Sequence, residues 1–339
     1  MDLKEKFLII FFITFISLPL FGLIFNVQDG LYNTEKRNME SFPKFKTPIQ
    51  FYCDFLEYYE DNFGFRYSLM KFASNLKIKL FKTYPRNIDI KVLKGKDGWL
   101  FYKLGNEIED FQGKVPLSSF AINKIKSDYE TNSCYLNKLG IKFYVLIPPD
   151  KSVIYSEYLP ASIISGIKSN ETRISQFLDT DFIYPKKLII NNKEKDGELL
   201  YFKTDTHWTY YGAYFGYKVL ENKIKQNFNI NQLKLSDMKK IEYIHEKPDL
   251  ADIINIGEKN FEKSYKYLCV EDNKFQKSNL KILIFGDSFS KYLEPYFTCA
   301  FYKVKFVSSS RFDKKLIEEF NPDVVIFEIV QRNLRHLFN

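Results

Sequence analysis

Histidine, cysteine and clustered basic charge are all scarce in this sequence of 339 residues, which has 3 His and 4 Cys. The cysteines (Cys53, Cys134, Cys269 and Cys299) stand far apart, with no CxxC and no Cys/His cluster, which argues against a structural zinc site. An exported chain would permit a disulfide, but four cysteines allow three complete pairings and spacing does not choose among them. The apolar contexts of Cys134 and Cys299 favour buried free thiols. The net charge of +8 suits an anionic polymer or a phospholipid surface. No Lys/Arg block resembles a nucleic-acid arm, so nucleic acid is set aside as a partner. Internal repeats and low-complexity tracts are absent. The apolar fraction of 45% supports a true core and argues against wholesale disorder. The aromatic fraction of 18% fits either sugar-stacking surfaces or the codon bias of an AT-rich genome.

The N-terminal region carries a stronger signal. Residues 7–28 contain no charge, and 7–25 are nearly all Phe, Ile and Leu. As a helix rising about 1.5 Å per residue, such a stretch reaches across a bilayer core of about 30 Å. Lys4 and Lys6 precede it, which favours a cytoplasmic N-terminus with the rest exported. A cleaved signal peptide is the rival, but Leu20 with Gly22, or Phe25 with Val27, would make a poor cleavage site. No Cys stands directly after the segment for lipid attachment. The expected organisation is a cytoplasmic tail over 1–6 and an uncleaved single-pass signal anchor over 7–27 in the inner (cytoplasmic) membrane. Stalk and juxtadomain helices follow over 28–90, with helical spacing at 51–82, and a catalytic domain over 91–339 lies in the periplasm or extracytoplasmic space.

From residue 92 onward, helices and strands alternate. Strands are expected at 99–102, 141–147, 188–190, 281–285, 304–307 and 324–329, and helices at 118–139, 211–227, after Ser288, and at 314–320. Strands that are continuously apolar and separated by helices predict an α/β fold with a mainly parallel sheet covered by helices on both faces.

The apolar strand at 282–285 runs straight into Gly286-Asp287-Ser288-Phe289-Ser290. A glycine there lets the chain turn sharply and present a serine above the carboxyl edge of the sheet, where open α/β folds bind ligands. Ser288 could equally be a helix cap, a common role for serine. A nucleophilic serine needs a base. His336 reads as a tail residue, and His245 lies in a polar segment with no oriented partner except Glu246. His207 follows Asp205 at a spacing of two, so in extended chain both side chains face one way. Asp205 could then accept from Nδ1–H and leave Nε2 to take the serine proton, or the pair could merely tie down a loop. Asp205 and Asp287 gain no further carboxylate or histidine at ligand spacing, so no metal and no cofactor is expected.

Four segments occur in order: GKDGWLFY at 95–102, DTHW at 205–208, GDSFS at 286–290 and EIVQR at 328–332. In these the chain resembles the alginate O-acetyltransferase family (AlgJ/AlgX type), over roughly residues 35–332, with further likeness at Glu35-Lys-Arg37, Phe42-Pro43 and 61–66. The resemblance is to the shorter, anchored members. It implies an SGNH-hydrolase-like fold with reversed motif order, and a triad of Ser288 (nucleophile), His207 (general base) and Asp205 (orienting His207). Trp208 and Arg332 are carried over as substrate-binding residues. Gln331 departs from the pattern, since the family usually has Glu before the Arg. The resemblance also implies acetyl transfer to hydroxyls of a cell-surface or exported polysaccharide, as in alginate biosynthesis. A membrane-bound O-acyltransferase would act as donor partner, and the membrane would be held through the N-terminal helix. A carbohydrate acetyl esterase with the same triad, or a non-catalytic polysaccharide-assembly subunit, are the alternatives. The Ser288 backbone N–H is one expected oxyanion donor; the second stays open.

Overall fold

The computed structural model describes residues 2–24, 42–65 and 91–338 together with 72 and 76, apart from 46, 63, 104, 168, 170–173, 175–180, 194, 255–260 and 271–274. The chain divides into two compact units, Met1–Ile88 with Ala251–Lys259, and Asp89–Leu250 with Asn260–Asn339.

In the first unit, α1 (Leu3–Ile24) contains the apolar run and α2 (Pro48–Asn62) follows it. The Thr47 hydroxyl accepts the Gln50 N–H at the start of α2. Phe51, Phe55 and Tyr58, at helical spacing on α2, all pack on the ring of Phe42. The expected membrane-spanning anchor is corrected here: among the described residues, no helix is long and apolar enough to cross a membrane. Lys4, Glu5 and Lys6 lie within the first turns of α1, and Pro19 sits inside the helix. Within α1 the uncharged described residues are 7–24, about 27 Å of helix. Residues 25–27, the end of the expected anchor, lie outside the described residues. The single-pass placement in the cytoplasmic membrane, and the membrane as a partner through this helix, are corrected with the anchor. Much of the expected stalk and juxtadomain region over 28–90, including most of 66–82 in the segment of helical spacing, also lies outside the described residues.

The second unit is built on a parallel sheet of β3 (Lys142–Leu146), β4 (Phe182–Ile183), β7 (Ser278–Gly286), β8 (Phe301–Ser308) and β9 (Val324–Glu328), in the order β4-β3-β9-β7-β8. Every pairing is parallel. Central β9, Val-Val-Ile-Phe-Glu, is buried throughout, as a strand covered on both faces must be. Side chains alternate between two cores. Tyr144, Ile284 and Ile326 join one core with α7 (Tyr210–Lys225) and α9 (Glu294–Ala300). Phe143, Phe285 and Phe327 join the other with α4 (Ser119–Lys138) and α10 (Lys314–Phe320). Ser118, Thr209 and Asp313 cap α4, α7 and α10 through their side-chain oxygens, each accepting a first-turn N–H. A small antiparallel pair, β1 (Val92–Lys94) and β2 (Leu100–Tyr102), and α3 (Glu107–Phe111) precede the sheet; α5 (Lys151–Ile154) follows β3.

Residues 188–190, expected as a strand, belong instead to α6 (Lys186–Asn191). Pro185 sets the turn into that helix, and burial is one-sided, with Ile189 inside and Ile190 exposed. The edge strand on this side of the sheet is β4, just before it. An antiparallel hairpin of β5 (Met238–His245) and β6 (Glu262–Cys269) was not expected; α8 (Asp249–Ile253) lies in its long connection. The expected free thiol at Cys299 is corrected as well. Cys299 on α9 is bonded to Cys269 at the end of β6, while Cys134 is a free thiol but exposed, where a buried one was expected.

Candidate active site

The loops after β3, β7 and β9 leave the carboxyl edge of the sheet side by side, and connections run outward from β3 to β4 and from β7 to β8. Open α/β sheets form their ligand crevice at such an edge. Gly286 ends β7 for a reason of space: a Cβ there would lie 2.7 Å from Glu328 Oε2 and 2.7 Å from Ser290 Cβ. The Asp287 side chain then shapes the turn. Its Oδ1 accepts the Phe289 N–H at 2.9 Å, and its Oδ2 accepts the Val330 N–H at 3.0 Å, which ties the turn after β7 to the loop after β9. Ser288 is left exposed at the tip.

Ser288 Oγ stands 2.7 Å from His207 Nε2, and His207 Nδ1 stands 2.6 Å from Asp205 Oδ1. The same oxygen accepts the His207 backbone N–H at 2.9 Å. The three residues expected to act together therefore form one continuous row. Phe289 and Tyr292 pack beside the imidazole, with ring centroids at 4.8 and 5.6 Å. Burial works to raise the Asp205 pKa, but the charge and hydrogen bonds of His207 and His245 hold its carboxyl well below the usual range.

Several residues that hold this row escaped the sequence reading. His245 does have an oriented partner: its Nε2 lies 2.9 Å from Asp205 Oδ2, which also accepts the Asp249 N–H at 2.9 Å. Asp249 in turn accepts the backbone N–H and the hydroxyl of Thr206, each at 2.7 Å. Asp205, His207 and Asp249 bring ligand-type atoms within 4.8 Å of one another, so a further carboxylate does join Asp205. Lys151, wholly buried, donates to the carbonyls of Phe202, Lys203 and Asp205 at 3.2, 3.3 and 2.7 Å. Burial pushes its ammonium down to about 8, against the pull of Glu107 and Glu262. Glu262 accepts from the Lys203 and Thr204 N–H groups and from the Thr204 hydroxyl. No local pattern marks these residues, because each partner comes from a distant segment.

Trp208 and Arg332 do not reach the open surface. The Trp208 ring is fully buried, and its Nε1 donates to the Phe289 carbonyl at 3.0 Å, bracing the turn that carries Ser288. Arg332 donates from Nη1 to Asp150 Oδ1 at 2.6 Å and lies over the rings of Phe289 and Tyr102. Burial pushes the Asp150 carboxyl up, against the pull of Arg332. Gln331 donates to Asp110 Oδ2 at 2.9 Å and accepts the Tyr184 hydroxyl at 2.7 Å. An ionised glutamate at this position could not make the first of these bonds.

No curated protein matches the chain in sequence. Among solved structures it is similar to PatB1 of Bacillus cereus, with a TM-score of 0.52 and 19% identity over 73% of this chain and 99% of that one. The same protein with a sulfonyl adduct matches at a TM-score of 0.50 and 19% identity, with the same coverage. The O-acetyltransferase domain of Pseudomonas putida AlgJ matches at a TM-score of 0.52 and 17% identity, over 72% of this chain and 92% of that one. At these identities the likenesses show a shared fold. Residues 92–327, most of the chain, match the family of the SGNH hydrolase-like domain, acetyltransferase AlgX, and the chain belongs to that family.

Proposed function

We propose that this protein transfers an acetyl group, by way of an ester on Ser288, to a hydroxyl of a cell-surface or exported polysaccharide. The observation that carries the reading is the row from exposed Ser288 Oγ through His207 to Asp205, with steps of 2.7 and 2.6 Å. In the first half-reaction Ser288 Oγ bonds to the acyl carbon while its proton passes to His207 Nε2. The bond from that carbon to the donor oxygen breaks, and the donor oxygen takes the proton. In the second half, a sugar hydroxyl gives its proton to Nε2, its oxygen takes the acyl group, and Ser288 recovers the proton. Asp205 keeps the imidazole in the tautomer that leaves Nε2 free to accept. The Ser288 N–H meets no acceptor among the described residues and is available as an oxyanion donor. The net charge of +8 suits an anionic, alginate-like acceptor, and the Cys269–Cys299 disulfide suits an oxidising compartment.

The test is incubation with an acetyl-ester donor, with and without oligosaccharides, and mass spectrometry of the products. Acetylated oligosaccharide is expected; free acetate alone, whatever the acceptor, identifies an esterase. Ser288→Ala should lower turnover by at least about 10⁴-fold. The sulfonyl adduct of PatB1 suggests a direct probe: a sulfonyl fluoride should label Ser288 and block activity. Near wild-type turnover in Ser288→Ala would sink the assignment.

A further inference from the structure

We infer that His245 is a positioning residue for His207, acting through the second oxygen of Asp205. The Asp205 carboxylate lies between two imidazoles: Oδ1 faces His207 Nδ1 at 2.6 Å, and Oδ2 faces His245 Nε2 at 2.9 Å. A carboxylate has only acceptors, so the short contact requires Nε2 of His245 to carry a proton. That N–H, with the Asp249 N–H on the same oxygen, closes the side of Asp205 turned away from His207. It fixes the carboxyl rotamer and draws off part of the negative charge that Asp205 presents to His207. Outer hydrogen bonds of this kind set the orientation and basicity of the group they support.

The surroundings hold His245 as firmly as Asp205. Its ring stacks on Phe202, with centroids 4.2 Å apart and planes 18° from parallel. It closes β5 opposite Glu262, whose carboxylate grips the backbone of residues 203 and 204 just before Asp205. At the far end of the same hairpin, Met238 pairs with Cys269, which is bonded to α9. The hairpin thus acts as a splint, anchored at one end and gripping the Asp-Thr-His loop at the other. Besides Asp205, the titratable groups facing this end are Asp249, Glu262, Lys151 under the loop, Tyr243 on β5 itself, and Tyr292 from the turn after Ser288.

Removing the His245 N–H leaves more of the Asp205 charge facing His207. The imidazolium of His207 is then favoured, whether His245 itself is neutral or charged, because a lost donor and a lost cation act with the same sign. The inference rests on His207 being the base, which Ser288→Ala tests separately.

The experiment compares pH profiles of kcat/KM on a chromogenic acetyl ester for wild type, His245→Phe and His245→Gln. Phenylalanine keeps the stack on Phe202 without a donor; glutamine restores an N–H. We expect His245→Phe to move the acidic limb to higher pH and to lower the plateau roughly tenfold, consistent with the loss of a hydrogen bond to a charged group. His245→Gln should bring the limb back toward wild type. An acidic limb unmoved in active His245→Phe, or moved equally in both variants, overturns the inference. A second measurement needs neither variant nor turnover. In two-bond ¹H–¹⁵N correlation spectra of the wild-type protein, which has 3 histidines, His245 should show a protonated Nε2. A bare Nε2 on His245 would equally overturn it.

Discussion

Glu328 Oε2 occupies the space that a side chain on Gly286 would need, 2.7 Å from an ideal Cβ, and from there it accepts the Asp287 N–H at 3.1 Å. The two central strands of the sheet thus meet at the base of the Ser288 turn through an acid and a missing side chain.

Gly286→Ala should therefore damage the turn. Its methyl group meets Glu328 Oε2 and the Ser290 side chain on a backbone fixed by both neighbouring strands, and such overpacking costs about 1–3 kcal/mol. Because the displaced atoms carry Ser288, turnover should fall by more than the stability loss alone implies. Thermal melting and kcat on one preparation decide this. Unchanged values for both would show that the close approach imposes no constraint.

Glu328 also yields a pH prediction. Burial, and then the charge of Asp287, hold its carboxyl well above the usual range, and Oε1 has no hydrogen-bond partner. A raised folded pKa means the contribution to stability is complete below the unfolded value, about 4.3. It is lost as pH rises through the folded value. Glu328→Gln cannot ionise and escapes that loss. The melting temperature of the variant relative to wild type should therefore increase from pH 5 to pH 9. A difference that stays flat with pH contradicts the buried neutral acid.

The disulfide supports the hairpin behind the site. Cys269 and Cys299 enclose a loop with a sequence separation of 30, and cross-links of this kind stabilise by roughly 2–4 kcal/mol. Cys299→Ala, or full reduction of the wild type, should lower the melting temperature. The exposed Cys134 should react with thiol reagents before and after reduction. A melting curve indifferent to reductant would argue against the bond.

The parts of the fold that were legible are those whose signal is local. The strands β3, β7 and β9 were legible through their apolar stretches 143–146, 282–285 and 324–327, continuous because both faces of the sheet are covered there, and α4 announced itself through its Ser118 cap. The hairpin did not, because Met238–His245 and Glu262–Cys269 mix Lys and Glu with aromatic residues on a half-exposed surface. The apolar N-terminal run read as a span because hydropathy averages over residues, whereas α1 also takes in Lys4, Glu5 and Lys6 and carries Pro19 inside it. At the site, Ser288, His207 and Asp205 stood out because the spacing of two and the strand-to-glycine turn are local. The partners of Asp205 were hidden for the opposite reason. His245 and Lys151 are separated from it by 40 and 54 positions, and only the folded chain brings them to it.

The final prediction treats Asp205 and His207 as one unit. Asp205→Asn keeps the shape of the side chain but can offer an N–H to His207 Nδ1, selecting the tautomer in which Nε2 is already protonated. Turnover should fall by about 10³–10⁴-fold, approaching the loss in His207→Ala, and the double variant should be little worse than either. Stability responds differently. With its pKa held down, ionised Asp205 contributes stability that is complete above the unfolded carboxylate value of about 3.9 and is lost as pH falls toward the folded value. Asp205→Asn lacks that term, so its melting temperature should fall less steeply in acid than that of the wild type. A pair that only ties down a loop would behave otherwise. Both single variants would then lose melting temperature while retaining most of their turnover, and the rate effects would multiply. Measuring kcat at the optimum, and melting temperature from pH 3 to pH 7, on all four proteins separates the cases. Multiplicative rate losses, or a stable His207→Ala protein with substantial activity, would remove His207 and Asp205 from the reaction.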